Sequence, residues 1–161
     1  GPRLVVEWRG WRICPLVCYD LRFPVFSRNR ADASREGGLE YDLLLYVANW
    51  PAARHEHWRA LLRARAIENL AAVVAVNRVG EDGNGFTYAG GSAVIDALGA
   101  TLVEGDATMR VLEATLSRTA LDAYRQRFPA HLDADAVPLL ELGGRGAGVG
   151  PPCPRPRFRG G

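Results

Sequence analysis

The chain has 161 residues, 48% of them hydrophobic, and a formal net charge of +2, which suits one domain with a real core. So small a positive excess, with no basic run interleaved with aromatics, argues against nucleic acid or an anionic membrane as partner. The longest apolar stretches, such as residues 43–48, fall far short of the ~20 residues of a membrane helix. Nothing resembles a signal peptide, so the expected location is the cytoplasm.

All 20 basic Lys+Arg residues are arginine; the chain contains no lysine. It opens Gly1-Pro2-Arg3, runs at once into Leu4-Val5-Val6, and has Met109 as its only methionine. These features lead us to expect a piece of a longer protein. The three cysteines suggest no disulfide framework. Cys14 and Cys18 are four apart in a strand, roughly 13 Å between Cα atoms, where a disulfide needs less than about 7 Å. Pro15 argues against a helix that would close that gap. With Cys153 far off in the tail, reduced intracellular cysteines are expected.

In chain order, residues 4–8 and 11–17 are apolar runs about Gly10, readable as a hairpin. The second run is apolar on both faces, as expected of a strand buried between two layers. It ends at Cys18, and the polar turn of Tyr19, Asp20, Arg22 and Pro24 follows. Residues 27–38 form a polar loop without periodicity. Residues 41–48 are a second buried strand, closed by Asn49-Trp50-Pro51. Two strands that deliver such turns to one edge would build a site between them. Residues 52–70 read as a helix, with Trp58, Leu61, Leu62, Arg65 and Asn69 on one stripe and Ala60, Ala64, Ile67 and Ala71 on another.

Residues 71–77 are a third buried strand, and residues 80–85 (Gly-Glu-Asp-Gly-Asn-Gly) are a turn-rich loop. Residues 92–96, 97–99 and 100–103 read as strand, turn and strand. Residues 109–116 read as another strand, with Leu112, Ala114 and Leu116 on one face. Ser117 is positioned to cap a short helix through Arg127, stopped by Phe128-Pro129. Residues 143–161 are almost only Gly, Pro, Arg and Ala, so residues 137–161 are expected to be a disordered tail. Residues 1–136 then form one α/β domain of sandwich pattern.

A thiol at the carboxyl end of a buried strand, facing a polar turn, is where an α/β enzyme keeps a nucleophile; a buried structural cysteine is the alternative. A cysteine nucleophile acts as a thiolate and needs a base or cation, plus donors for the oxyanion it generates. His55 or His57 could form a Cys–His pair oriented by Asn77, giving a self-sufficient hydrolase or acyltransferase. Glu68 could be a carboxylate base, or the base could lie outside this sequence. Against these, histidines at i and i+2 point to different sides of a helix and do not make the i, i+4 zinc pair. Near a helix start they commonly face solvent, and Glu68, on the same helix as Arg63 and Arg65, suits an ion pair. Gly83-Asn84-Gly85 lacks the Gly-Lys-Ser/Thr of a phosphate loop. Trp8, Trp11 and Trp58 read as packing, whereas Trp50 sits in the turn that faces the site.

The residues Cys18-Tyr19-Asp20-Leu21-Arg22-Phe23-Pro24, Ala48-Asn49-Trp50-Pro51, His57-Trp58 and Ala64-Arg65-Ala66-Ile67-Glu68-Asn69, in this order and spacing, resemble the nitrilase superfamily of carbon–nitrogen hydrolases. Gly91-Ser92-Ala93-Val94-Ile95-Asp96 to Gly99 is similar to that family's late hairpin. The likeness is strongest to the omega-amidase branch, runs from about residue 3 to residue 135, and breaks in the tail. It implies a four-layer α-β-β-α sandwich that pairs into a homodimer and works on small-molecule amides without metal or organic cofactor. It also implies a Glu–Lys–Cys triad acting through a thioester. Cys18 matches the nucleophile, and the backbone N–H of Tyr19 half of the oxyanion hole. Arg22, Asn49 and Trp50 are the expected substrate-binding residues, with Arg54 a second candidate for a substrate carboxylate. The family's Glu and Lys both precede its Cys. Here Glu7 is the sole acid ahead of Cys18 and does not match the base's motif. The resemblance therefore covers the carboxyl-terminal part of such an enzyme. The chain alone is expected to be nearly inactive and prone to aggregate through uncovered sheet. A non-catalytic remnant that serves as an interaction surface is the remaining alternative.

Overall fold

The computed structural model describes residues 3–134 except residue 33 and residues 35–37; the expected tail, 137–161, and Cys153 lie outside the described residues. The chain opens with a hairpin of β1 (Val6–Trp8) and β2 (Trp11–Val17), in register Val6↔Ile13 and Trp8↔Trp11. Arg9 and Gly10 both take positive φ, 48° and 78°, as a two-residue turn that follows the strands' twist requires. A 3-10 turn at Cys18–Arg22 and the four-residue α1 (Pro24–Ser27) follow, then β3 (Leu43–Ala48), a 3-10 turn at Ala52–Arg54 and α2 (His55–Asn69). After β4 (Ala72–Asn77) come the short β5 (Val79–Glu81) and β6 (Thr87–Ala89), then β7 (Ala93–Ile95), β8 (Thr101–Glu104) and α3 (Arg118–Arg127). A 3-10 turn at Ala130–Asp133 ends the described chain.

Six strands form one sheet in the order β1-β2-β3-β4-β7-β8, while β5 and β6 pair separately. The central strands β2, β3 and β4 run parallel, and the flanking pairs are antiparallel. Register places Cys14, Leu44, Val73 and Ile95 in one row and Leu16, Tyr46, Ala75 and Ala93 in the next. Side chains alternate along a strand, so these rows share one face. They are buried together with Trp58, Leu62 and Ala66 of α2, and each buried Leu or Val contributes roughly 1.5–3 kcal/mol.

The opposite face carries Pro15, Leu45 and Val74, then Val17, Val47 and Val76, which are 66%, 54% and 50% exposed. The sequence reading buried these strands on both faces. Their apolar composition does serve two faces, but among the described residues the opposite face is buried only at its Leu43–Ala72 end and lies exposed at Val17, Val47 and Val76.

Two further expectations change. Residues 109–116 belong to no strand: Met109 and Val111 are 91% and 86% exposed. An alternating pattern supplies a face, but a strand also needs a partner for its ladder, and this segment meets none. Conversely, the turn-rich loop expected over residues 80–85 sits within a small hairpin of β5 and β6, whose strands carry glycine, acid and threonine in place of an apolar run. Their loop is organised by Asp82, whose Oδ1 accepts the N–H groups of Asn84 (2.9 Å) and Phe86 (3.0 Å). Ser117 does cap α3, its hydroxyl accepting the N–H of Ala120 at 3.1 Å. No helix among the described residues is long and apolar enough to cross a membrane.

Candidate active site

The three parallel strands end at one edge. The register pairs Val17 with Val47 and Ala48 with Asn77, so Cys18, Asn49 and Asn77 leave the sheet side by side. Cys18 has φ of 43°, a left-handed conformation that costs a non-glycine residue roughly 1–2 kcal/mol. It turns the chain from β2 directly into the 3-10 segment. The Asp20 carboxylate accepts the Val17 N–H at 2.8 Å and fixes that turn from within. Cys18 is half-buried, and its thiol faces the carbonyl oxygen of Asn49 at 4.0 Å.

A buried polar ridge on α2 holds the segment that follows. Arg65 is 3% exposed. It donates from Nη2 to the Leu21 carbonyl at 2.6 Å and from Nη1 to Glu68 at 2.9 Å. One turn on, Asn69 accepts the Asn29 N–H at 2.8 Å. The helix stripe thus grips the nucleophile's turn at Leu21 and its return at Asn29. Glu68 is the ion-pair partner of Arg65, in keeping with the structural role expected of it.

Asn77 ties three loops together. Its Oδ1 accepts the Trp50 N–H at 2.7 Å, and its Nδ2 donates to the carbonyls of Trp50 (3.2 Å) and Gly90 (2.7 Å). Its own N–H donates to Ser92 Oγ at 2.9 Å. The Trp50 ring is tilted against Trp58, 5.6 Å between centroids, and Trp58 Nε1 donates to the Gly91 carbonyl at 2.7 Å. Gly91 has φ of 75°, and a Cβ there would lie 2.6 Å from His55 Cε1, so only glycine fits between the loop and that ring. Asn77→Ala would leave buried donors and acceptors unpaired. The variant is expected to lose roughly 2–3 kcal/mol, read as the shift in a urea melt; a loss under about 0.5 kcal/mol, the scale of an ordinary surface substitution, would contradict this.

Arg22 closes the site. Its guanidinium lies 4.9 Å from the Trp50 ring centroid, and its Nη2 is 3.1 Å from His57 Nδ1. Cys18, Asn49, Trp50 and Arg22 therefore share one edge; Tyr19 follows Cys18 in the turn, 64% exposed. Arg54 is placed there only through its carbonyl, which accepts Trp50 Nε1 at 2.8 Å. The Cys–His arrangement does not form. His57 holds Arg22, His55 packs on Gly91, and Cys18 makes no hydrogen bond to either ring among the described residues. Asn77 orients loops, not a histidine. Cys14 is a core thiol pushed up to about 11 by burial, so it stays protonated and inert. No group of three His, Cys, Asp or Glu among the described residues could hold a metal ion. Sequence reasoning missed the work of Arg65 and Asn69; the signal was two polar residues on an otherwise apolar helix stripe.

The carbon-nitrogen hydrolase family model matches residues 2–126. The omega-amidase YafV of Yersinia enterocolitica is 57% identical over 139 residues, covering 86% of this chain and 51% of that protein. A 2-oxoglutaramate amidase of Paenarthrobacter nicotinovorans is 40% identical over 120 residues, 74% of this chain and 38% of that one. Among solved structures, XC1258 from Xanthomonas campestris, a CN-hydrolase superfamily protein with an arsenic adduct in its active site, superposes with a TM-score of 0.82. It is 61% identical and covers 84% of this chain and 51% of its own. The chain thus spans about half the length of the first of these relatives and of XC1258, and less of the other amidase.

Proposed function

The chain belongs to the carbon-nitrogen hydrolase family, and from that premise we propose that it carries the nucleophile of an omega-amidase. Cys18 is the nucleophile. Its sulfur attacks the amide carbon while a general base takes the thiol proton. The tetrahedral intermediate expels ammonia, which leaves with a proton, and the acyl group remains on sulfur as a thioester. Water, deprotonated by the same base, then releases the carboxylic acid and regenerates the thiol. The backbone N–H of Tyr19, at the start of the 3-10 turn where no intrahelical acceptor is available, is one oxyanion donor. Asn49, Trp50 and Arg22 line the substrate's approach. The observation that carries the reading is the placement of Cys18: a left-handed residue at the carboxyl edge of three parallel strands, its turn anchored from below by Arg65.

The triad's glutamate and lysine are not supplied here. The sequence has no lysine, and Glu7 lies on β1 opposite Arg12, exposed. Both groups come from another segment or polypeptide. The uncovered face around Val17, Val47 and Val76 is where the second sheet of a four-layer sandwich would lie, and the family's homodimer would be built on that complete domain.

Trapping tests the nucleophile. Incubation with acrylamide, a small unsaturated amide, followed by peptide mass mapping is expected to modify Cys18 and spare Cys14. Cys18→Ser is expected to abolish the adduct on that peptide, whatever Cys153 takes up. Equal modification of both cysteines, or neither, would remove the basis for the assignment.

A further inference from the structure

Of the five asparagines, only Asn84 is followed by glycine, and it stands in the turn of the β5–β6 hairpin. Asn29, Asn69 and Asn77 commit their carboxamides to buried hydrogen bonds, and Asn49 is followed by the bulky Trp50. The Asn84 side chain is exposed and its carboxamide makes no hydrogen bond among the described residues; only its backbone N–H is held, by Asp82 Oδ1 at 2.9 Å. Gly85 is also exposed, with φ of 79°, and a Cβ built on it would meet nothing within 4 Å. The backbone nitrogen that follows Asn84 is therefore open to approach, and a residue without a Cβ does not screen it.

The same turn holds a second residue before glycine, Asp82-Gly83, and the structure separates the two. Both Asp82 oxygens are occupied: Oδ2 accepts the Tyr88 hydroxyl at 2.8 Å, and Oδ1 accepts the N–H groups of Asn84 and Phe86. The Tyr88 hydroxyl above all holds the Asp82 carboxyl below the usual carboxylate range. Asp82 thus stays an anion, which is a poor electrophile, and its Cγ cannot swing onto the Gly83 nitrogen without breaking three hydrogen bonds. Asn84 meets a single restraint on its attacking partner, the Gly85 N–H donating to the Asp82 carbonyl at 3.1 Å. Opening one exposed turn is a local event that leaves the core intact.

We propose that Asn84 is a site of non-enzymatic covalent modification, cyclising onto the Gly85 nitrogen and converting to aspartate and isoaspartate, while Asp82 in the same turn does not react. The Gly85 nitrogen, its proton taken by hydroxide, forms a bond to Asn84 Cγ, and the carboxamide nitrogen departs as ammonia. Water then opens the cyclic imide. Cleavage of the Cγ–N bond leaves aspartate on the original chain path. Cleavage of the bond between the backbone carbonyl and nitrogen leaves isoaspartate, with the chain routed through Cγ. Either product sets a second carboxylate beside Asp82. The hairpin joins the site edge where the Gly90 carbonyl accepts Asn77 Nδ2 at 2.7 Å, so the change falls on the loop cluster that borders Cys18. No step needs Cys18 or the amidase reading, because the reacting amide is the chain's own.

The test is a timed incubation of the soluble 161-residue chain in mildly alkaline buffer, once native and once in guanidinium chloride, followed by tryptic mapping. Cleavage after Arg78 and Arg110 isolates residues 79–110, where Asn84 is the sole asparagine. That peptide is expected to gain the mass of an amide-to-acid exchange and to split into two chromatographic forms, with fragmentation locating the change at residue 84. One turn hydrogen bond is worth a factor of about ten at most, so the native rate is expected to lie within roughly tenfold of the unfolded rate. Asn84→Gln, which would have to close a larger ring, is expected to leave the peptide unmodified over the same time. A native chain still unmodified when the guanidinium sample has converted overturns the proposal, because the hairpin then shields the pair. Isoaspartate at residue 82 in place of 84, or unchanged conversion in Asn84→Gln, overturns the assignment to Asn84.

Discussion

Given a small omega-amide, the 161-residue chain is expected to release ammonia no faster than its Cys18→Ala variant, even though Cys18 accepts an electrophile. The two results separate because alkylation needs only an accessible thiol, whereas turnover needs a base and a complete oxyanion hole. Losing one oxyanion donor typically costs about 10²–10³ in rate, and general acid–base catalysis supplies about 10²–10⁴. These factors do not simply multiply, because groups that act as a unit are strongly non-additive. A deficit of at least ~10⁴ relative to a full-length relative follows from these ranges. Co-expression with the part of the Yersinia relative that lies outside the 51% of its length matched by this chain is expected to restore measurable turnover. Ammonia release by the unaided chain within tenfold of that relative would show that Cys18 has a base and donors among its own residues. The proposed division of the triad would then be wrong.

The site edge was legible because β2 and β3 share a pattern, an apolar run that stops at a polar and aromatic turn. Such runs pair in parallel when both faces must be dry, and the register then brings their ends together. The pattern could not say that Cys18 would be left-handed, or that a 3-10 turn would follow, because those depend on Asp20 reaching back to the Val17 N–H and on Arg65 reaching across from α2. Periodicity places Arg65 on a helix face but is silent on what crosses that face. The same limit explains His57. Its place just past Trp50-Pro51 made it a candidate for a Cys–His pair, and only the fold shows Arg22 against its ring nitrogen. Residues 109–116 failed in the opposite direction, since their alternation was real and their partner strand was not. Asp42 was overlooked within a run read as apolar, although an acid there is the sharpest anomaly in the stretch.

Asp42→Ala is expected to be the most destabilising single substitution in the described domain away from the site, at about 3–5 kcal/mol. Asp42 is fully buried at the start of β3. Its Oδ1 takes Arg125 Nη1 at 2.6 Å, and its Oδ2 takes Arg118 Nη1 at 2.8 Å and the Arg12 N–H at 3.0 Å. Arg125 also donates to the carbonyls of Leu70 (2.8 Å) and Tyr41 (2.9 Å), so α3 is bolted to the strand edge through one carboxylate. Burial lowers the proton affinity of Arg125, and Asp42 offsets it; guanidinium does not deprotonate, so without Asp42 an unpaired charge stays buried. Arg118 is about one-third exposed, and water replaces its partner readily. The expected order of loss in urea melts is therefore Asp42→Ala, then Arg125→Met, then Arg118→Gln, the last near 1 kcal/mol as for exposed pairs. Folded fractions of all three should keep acrylamide reactivity at Cys18, because β3 puts roughly 20 Å between the two ends. Equal losses at Arg118 and Asp42 would mean that the clamp is solvated and that α3 is held by its apolar contacts. Loss of Cys18 reactivity in folded Arg118→Gln would mean that the clamp and the site edge are one mechanical unit.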